Sequence, residues 1–223
     1  MRNGDPDIDK ATAVPSPRQR IIACAKKHFF TRGLRTVTMD ELAEDLGMSK
    51  KTLYAHFPSK SELVKSALLE KFEAADREMQ QITSQASKDF PGTLRNLLAA
   101  IQSQTDEIQP AFFRDIQRHA PEIYQSLSDR RRKAIRRHFG KLLLAGRKAE
   151  MVRRDIPPKL IMDIMLSSVA AILNPSKLME LRLTPKAAIS AIIRVILEGV
   201  VTGEKDRVRF NKLSADYPEK RDL

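Results

Sequence analysis

Between Lys50 and His56, two lysines, a threonine, a tyrosine and a histidine are separated only by Leu53 and Ala55. The chemistry open to such a set is the grip of a polyanion. Lysine near a helix N-terminus reaches phosphate or the O6/N7 edge of guanine. Threonine bonds phosphate or touches a thymine methyl, and tyrosine and histidine reach backbone oxygens. Carried on one exposed helix face, Lys50, Lys51, Thr52, Tyr54 and His56 suit a DNA groove, with Leu53 and Phe57 turned inward at i, i+4. The plainer alternative is a capped helical hairpin with a solvated basic face.

The neighbouring residues supply the positioning. Thr38 with Glu41 forms a T-x-x-E capping box that opens a helix, and Leu42, Ala43 and Leu46 give it an apolar stripe. Gly47 stands where that helix ends in the left-handed conformation. Ser49 caps the next helix and Pro58 stops it, while Ser59 and Glu62 read as a second capping box. Ala43 and Gly47 are small enough for the two helices to cross closely, as a helix-turn-helix requires.

Ile21 to Gly33 reads I-I-x-x-A-x-x-x-F-x-x-x-G, Thr36 to Ala43 reads T-V-T-M-D-E-L-A, and Gly47 to Leu63 reads G-M-S-K-K-T-L-Y-A-H-F-P-S-K-S-E-L. These runs resemble the DNA-binding domain of the tetracycline-repressor (TetR) family of bacterial transcriptional regulators. The resemblance implies that Thr38, Tyr54, His56 and Lys60 hold phosphates and that Lys50, Lys51 and Thr52 face the bases, beside the capping Ser49. Lys50-Lys51 is more basic than the small or polar residues usual in the family there. Homodimerisation, and release from DNA by an apolar or amphipathic ligand, are implied in the same way.

The 223 residues carry a net charge of +12, which points to a polyanionic partner, nucleic acid or a membrane surface. No apolar run reaches the roughly 18 residues of a spanning helix, and the start, MRNGDPDIDK, has no signal-like apolar core. The single Cys24 fits a reducing cytoplasm and is expected to be a semi-buried helix residue. Strand signals are scarce, so the fold class is all-α.

In chain order, residues 1–16 read as a flexible arm, 17–62 as the helix-turn-helix domain, 63–203 as a helical effector-binding and dimerisation domain, and 204–223 as a charged tail. The first helix runs from Pro17 to Arg32, with Ile21, Ile22, Ala25 and Phe29 inward and Gly33 at its end. The Ser59 helix continues to Ile82 and serves as a connecting rod. Further helices start at Pro91, Pro110 and Pro121. The segments 158–173 and 185–201 are apolar on more than one face, and pairing with their copies would give a four-helix dimer interface. The alternative is two core helices of a monomer.

An effector cavity would draw on Phe112, Phe113, Ile116, Tyr124, Phe139, Met162, Met165 and Ser168, an apolar set with a few polar handles. The basic run from Arg130 to Arg137 spreads around its helix and reads as solvated surface, with long-range attraction to DNA or the holding of an anionic ligand as minority alternatives. His119 and His138 lie on different helices and could meet Asp115 or Glu122 at a conceivable metal site, but they lack metal-ligand spacing, and no phosphate loop or nucleophile elbow is present. No enzyme, metal or cofactor is therefore expected. The expected function is sequence-specific transcriptional regulation, most simply repression relieved by a ligand. The rival is a helical protein-interaction or sensor module that keeps the helix-turn-helix shape without reading DNA.

Overall fold

A computed structural model describes residues 15–106 and 108–201. The sequence-assigned tail and all but the last two residues of the arm lie outside that range. Ten helices are present among the described residues: α1 (Pro17–Arg32), α2 (Met39–Asp45), α3 (Lys50–His56), α4 (Lys60–Ser84), α5 (Phe90–Asp106), α6 (Pro110–His119), α7 (Pro121–Lys148), α8 (Pro158–Ile172), α9 (Pro175–Glu180) and α10 (Pro185–Val200). Proline opens α1, α6, α7, α8, α9 and α10, where its fixed φ suits a first turn and its missing N–H costs nothing.

Two apolar cores organise these helices. The first joins Ile21, Ala25 and Phe29 of α1 to Leu42 of α2, Leu53 of α3 and Leu63 and Ala67 of α4. It continues into Phe112 and Ile116 of α6 and Ile123 and Leu127 of α7. The second gathers Leu94 and Leu97 of α5, Phe139 and Leu142 of α7, Met165 of α8 and Ile193 and Leu197 of α10. The 25 residues of α4 span about 37 Å at 1.5 Å each. That is enough for Leu63 to sit in the first core while Met79 and Ile82 pack on the second.

Three expectations need correction. Ser59 Oγ accepts the Glu62 N–H at 3.2 Å, but that cap is one-sided rather than a box. Reciprocal boxes stand at Ser16 with Gln19, ahead of α1, and at Thr38 with Glu41, ahead of α2. The six-residue α9, capped by Asn174 Oδ1 accepting the Lys177 N–H, was not anticipated. Phe112 and Ile116, expected on a second-domain cavity, are fully buried in the first core, because α6 lies across α1: the Phe30 and Phe112 rings meet edge to face at 5.1 Å. Among the described residues no helix is long and apolar enough to cross a membrane.

Candidate nucleic-acid interface and effector cavity

The turn between α2 and α3 is built by backbone geometry and two hydroxyl caps. Thr38 Oγ1 accepts the Glu41 N–H at 3.2 Å and Glu41 Oε2 returns a bond to the Thr38 N–H at 2.8 Å. Gly47 sits at φ 61°, the left-handed region a Cβ would penalise, and Met48 N–H closes the turn on Ala43 O at 3.0 Å. Ser49 Oγ then accepts the Thr52 N–H at 3.1 Å. Leu53 and Phe57 are buried and seat α3 on the first core, leaving Lys50, Lys51, Thr52, Tyr54 and His56 on the exposed side.

Two basic groups carry local partners. Lys50 Nζ pairs with Asp40 Oδ2 of α2 at 2.7 Å, both side chains well exposed. Hydrogen bonding to that carboxylate, then its charge, holds the amine above its ordinary value. Lys60, first residue of α4, is half-buried with Nζ 5.9 Å from the Phe29 ring centre. Burial lowers its pKa, against the pull of Asp115 and Glu41. Arg18 stacks over the Phe57 ring at 4.8 Å, next to the C-terminus of α3. Its sequence signal was only a place on the outer face of α1.

A cavity of about 530 Å³ opens between α4, α5, α7, α8 and α10. Phe113, Tyr124, Phe139 and Met165 are on its wall. Phe112 and Ile116 are in the first core instead. Met162 is turned toward Gly140 of α7 and Ser168 is half-buried on α8, both off the wall. Much of the lining comes from outside the span of the sequence candidates, Phe112 to Ser168: Leu68, Phe72 and Met79 of α4, and Ile189 and Ile193 of α10. Their helical spacing was legible, but which of the two cores each would face was not.

Three junctions tie the parts together. Gln109 N–H donates to Phe30 O at 2.9 Å and Arg35 N–H to Asp115 Oδ2 at 3.1 Å, fixing α6 to the end of α1. Asp76 of α4 accepts from Arg137 and from His138 Nε2 at 2.7 Å, clasping α4 to α7. Burial works to raise the Asp76 pKa, but its bonds to His138 and Arg137 and their charges prevail and hold it below the usual carboxylate range. His28 Nε2 meets Asp45 Oδ2 at 2.7 Å, linking α1 to the end of α2. Cys24 lies beside this pair, with ligand atoms of all three within 4.8 Å, a grouping the sequence reading did not single out. Its thiol is pushed up by burial and by Asp45, against Lys27.

Residues 21–67 match the family model for bacterial regulatory proteins, tetR family. The HTH-type transcriptional regulator YvaF of Bacillus subtilis is 22% identical over 171 residues, covering 75% of this chain and 87% of YvaF. TtgR of Pseudomonas putida, another HTH-type transcriptional regulator, is 32% identical over 84 residues, 38% of this chain and 40% of TtgR. Among solved structures, SmeT, repressor of the Stenotrophomonas maltophilia multidrug efflux pump SmeDEF, superposes with a TM-score of 0.60 at 16% identity, covering 85% of this chain and 92% of SmeT. At that identity the superposition establishes a shared fold.

Proposed function

Because the chain belongs to the tetR family of bacterial regulatory proteins and is a DNA-binding transcriptional regulator, we propose that it is a homodimeric repressor that leaves a palindromic operator when a small apolar or amphipathic molecule fills the second domain. The exposed side of α3 carries this reading. Lys50 and Lys51 occupy its first turn, where the positive end of the helix dipole disfavours cations. A phosphate backbone laid against that turn relieves the repulsion. Thr38, Ser49, Thr52, Tyr54, His56 and Lys60 surround it as further phosphate and base contacts, and two-fold symmetry sets half-sites about one helical turn, or a multiple, apart.

Dimerisation through α8 and α10 is supported by side chains left in solvent: Leu160 at 50% and Ile164 at 47% exposure on α8, and Val195 at 71% on α10. Release is supported by α6, whose Phe112 packs in the first core while its neighbour Phe113 reaches the cavity, and by α4, which joins both cores. A ligand acts only through its different affinity for two arrangements of these helices. Coupling of about 1–3 kcal/mol changes operator affinity roughly 5- to 150-fold.

The test is salt-titrated binding to duplex from upstream of the chain's own gene. Wild type should prefer it over random duplex by at least roughly a thousandfold, and Tyr54→Ala should weaken binding to all sequences alike. Equal operator affinity of wild type and Tyr54→Ala removes α3 from the groove.

A further inference from the structure

Tyr124, Ser128, Arg131 and Ile135 follow one another at i, i+4, i+7 and i+11 on α7 and form one inward stripe. All four line a side chamber of about 240 Å³, and Tyr124, Arg131 and Ile135 also line the main cavity of about 530 Å³. Arg131 is thus the one member of the basic run standing where the two spaces meet. Arg130, Arg132, Lys133, Arg136 and Arg137 are exposed, whereas Arg131 is part-buried. Its surroundings are poorly hydrated, and burial lowers its pKa with only the Tyr124 phenol acting against it.

Among the described residues Arg131 has no ion-pair or hydrogen-bond partner. A guanidinium offers five donors in a planar fork shaped for carboxylate or phosphate, and a charge taken out of water without a partner is costly. The wall does not neutralise it. Seven lysines and arginines reach the main cavity against two carboxylates, Glu73 and Asp76, and Asp76 is engaged by Arg137 and His138. Apart from Gln104 and His138 the remaining lining is largely aliphatic and aromatic, including Leu94, Met165 and Ile193.

We propose that the cavity takes an anionic amphipath, its carboxylate or phosphate head on the Arg131 guanidinium and its hydrocarbon body along the α4, α5 and α10 side. This rests on the ligand-released repressor reading and narrows it from an apolar or amphipathic effector to an acidic one. Arg131 acts as the specificity residue, since a neutral alcohol of the same length offers the fork only one uncharged acceptor.

The experiment is calorimetric titration of the full chain with dodecanoate, dodecyl phosphate and dodecanol. It compares wild type with Arg131→Gln, Arg131→Lys and the control Arg136→Gln, an exposed member of the same run that lines neither space, each first shown to melt like wild type. One charge-assisted contact predicts that both acids bind wild type roughly ten- to a hundredfold tighter than the alcohol. Arg131→Gln should abolish that preference, Arg131→Lys should keep part of it, and Arg136→Gln should keep it whole. Equal affinity for acids and alcohol, loss of the preference in Arg136→Gln, or failure of both acids to bind overturns the proposal. Operator release is read separately by adding the same probes to the protein–DNA complex. Preferential acid binding without release supports the Arg131 assignment and counts against the repressor reading, whereas release by dodecanol with no acid preference does the reverse.

Discussion

On the proposed interface Asp40 is the residue that would decide how freely Lys50 meets DNA. Its carboxylate holds the Lys50 amine at 2.7 Å and itself points from α2 toward the surface proposed to meet phosphate. A pair so open to water is easily broken, so Lys50 stays available, but the carboxylate remains as a like charge opposite the backbone. Asp40→Ala should therefore raise operator affinity, most of all at low salt. The gain should shrink as ionic strength approaches about 0.15 M, where the screening length falls to about 8 Å. Fluorescence anisotropy of a labelled operator across a salt series checks this, and no gain at low salt would place Lys50 away from the duplex.

At the scale of the element, α6 presents two faces with different duties. Phe112 is fully buried against α1, whereas Phe113, its edge-to-face neighbour at 6.4 Å, is half-buried at the cavity. Phe112→Ala should lose about 3–5 kcal/mol of stability, the usual cost of emptying an aromatic site. Phe113→Ala should lose clearly less and should instead change ligand affinity. Urea denaturation of both variants separates these outcomes; equal losses would deny α6 its two faces. The clasp between α4 and α7 gives a pH-dependent counterpart. Asp76 has a depressed pKa in the folded state, so its contribution is present above the unfolded value of about 4 and is lost as pH falls through the lower folded value. Asp76→Asn should cost on the order of 1 kcal/mol at neutral pH, since the carboxyl is partly exposed and screened, and its gap to wild type should close in acid. A gap of constant size from neutral pH down to acid in which the carboxyl is protonated would mean that the clasp owes nothing to charge.

These elements differ in how plainly the sequence announced them. Helix ends were legible wherever a side chain or ring fixes the backbone: Thr38 and Ser49 as caps, Gly33 and Gly47 at the stops, Pro110, Pro121, Pro158 and Pro185 at the starts. The same local signal existed for α9 in Asn174-Pro175, but six residues are too few to show a period. Phe112 and Phe113 mark the deeper limit. Periodicity says that a residue turns inward, and only tertiary packing says into which of two cores. Arg131 was hidden for a related reason, since a run of adjacent cations points in every direction around a helix and the inward member is chosen by what packs against it.

For the whole molecule, two-fold pairing is what would turn a seven-residue recognition helix into a selective regulator. One α3 offers few contacts, and linking two half-sites multiplies affinity by about 10²–10⁴ once both can be reached together. On the proposed interface Leu160 and Ile164 rise one turn apart on α8, and Val195 stands between Ala191 and Gly199 on the exposed side of α10. Because these side chains already lie in solvent within one subunit, Ile164→Glu combined with Val195→Glu should leave the isolated fold intact, with an unchanged far-ultraviolet spectrum. Buried across a dimer axis, the same carboxylates would meet their own copies in an apolar setting, where unpaired charge is costly. The double variant should sediment as a monomer, protect one half-site weakly, and still bind cavity ligands as wild type does. Retained dimerisation with undiminished operator affinity would move the interface off α8 and α10, and would require the spacing of the two α3 helices to be set by some other face.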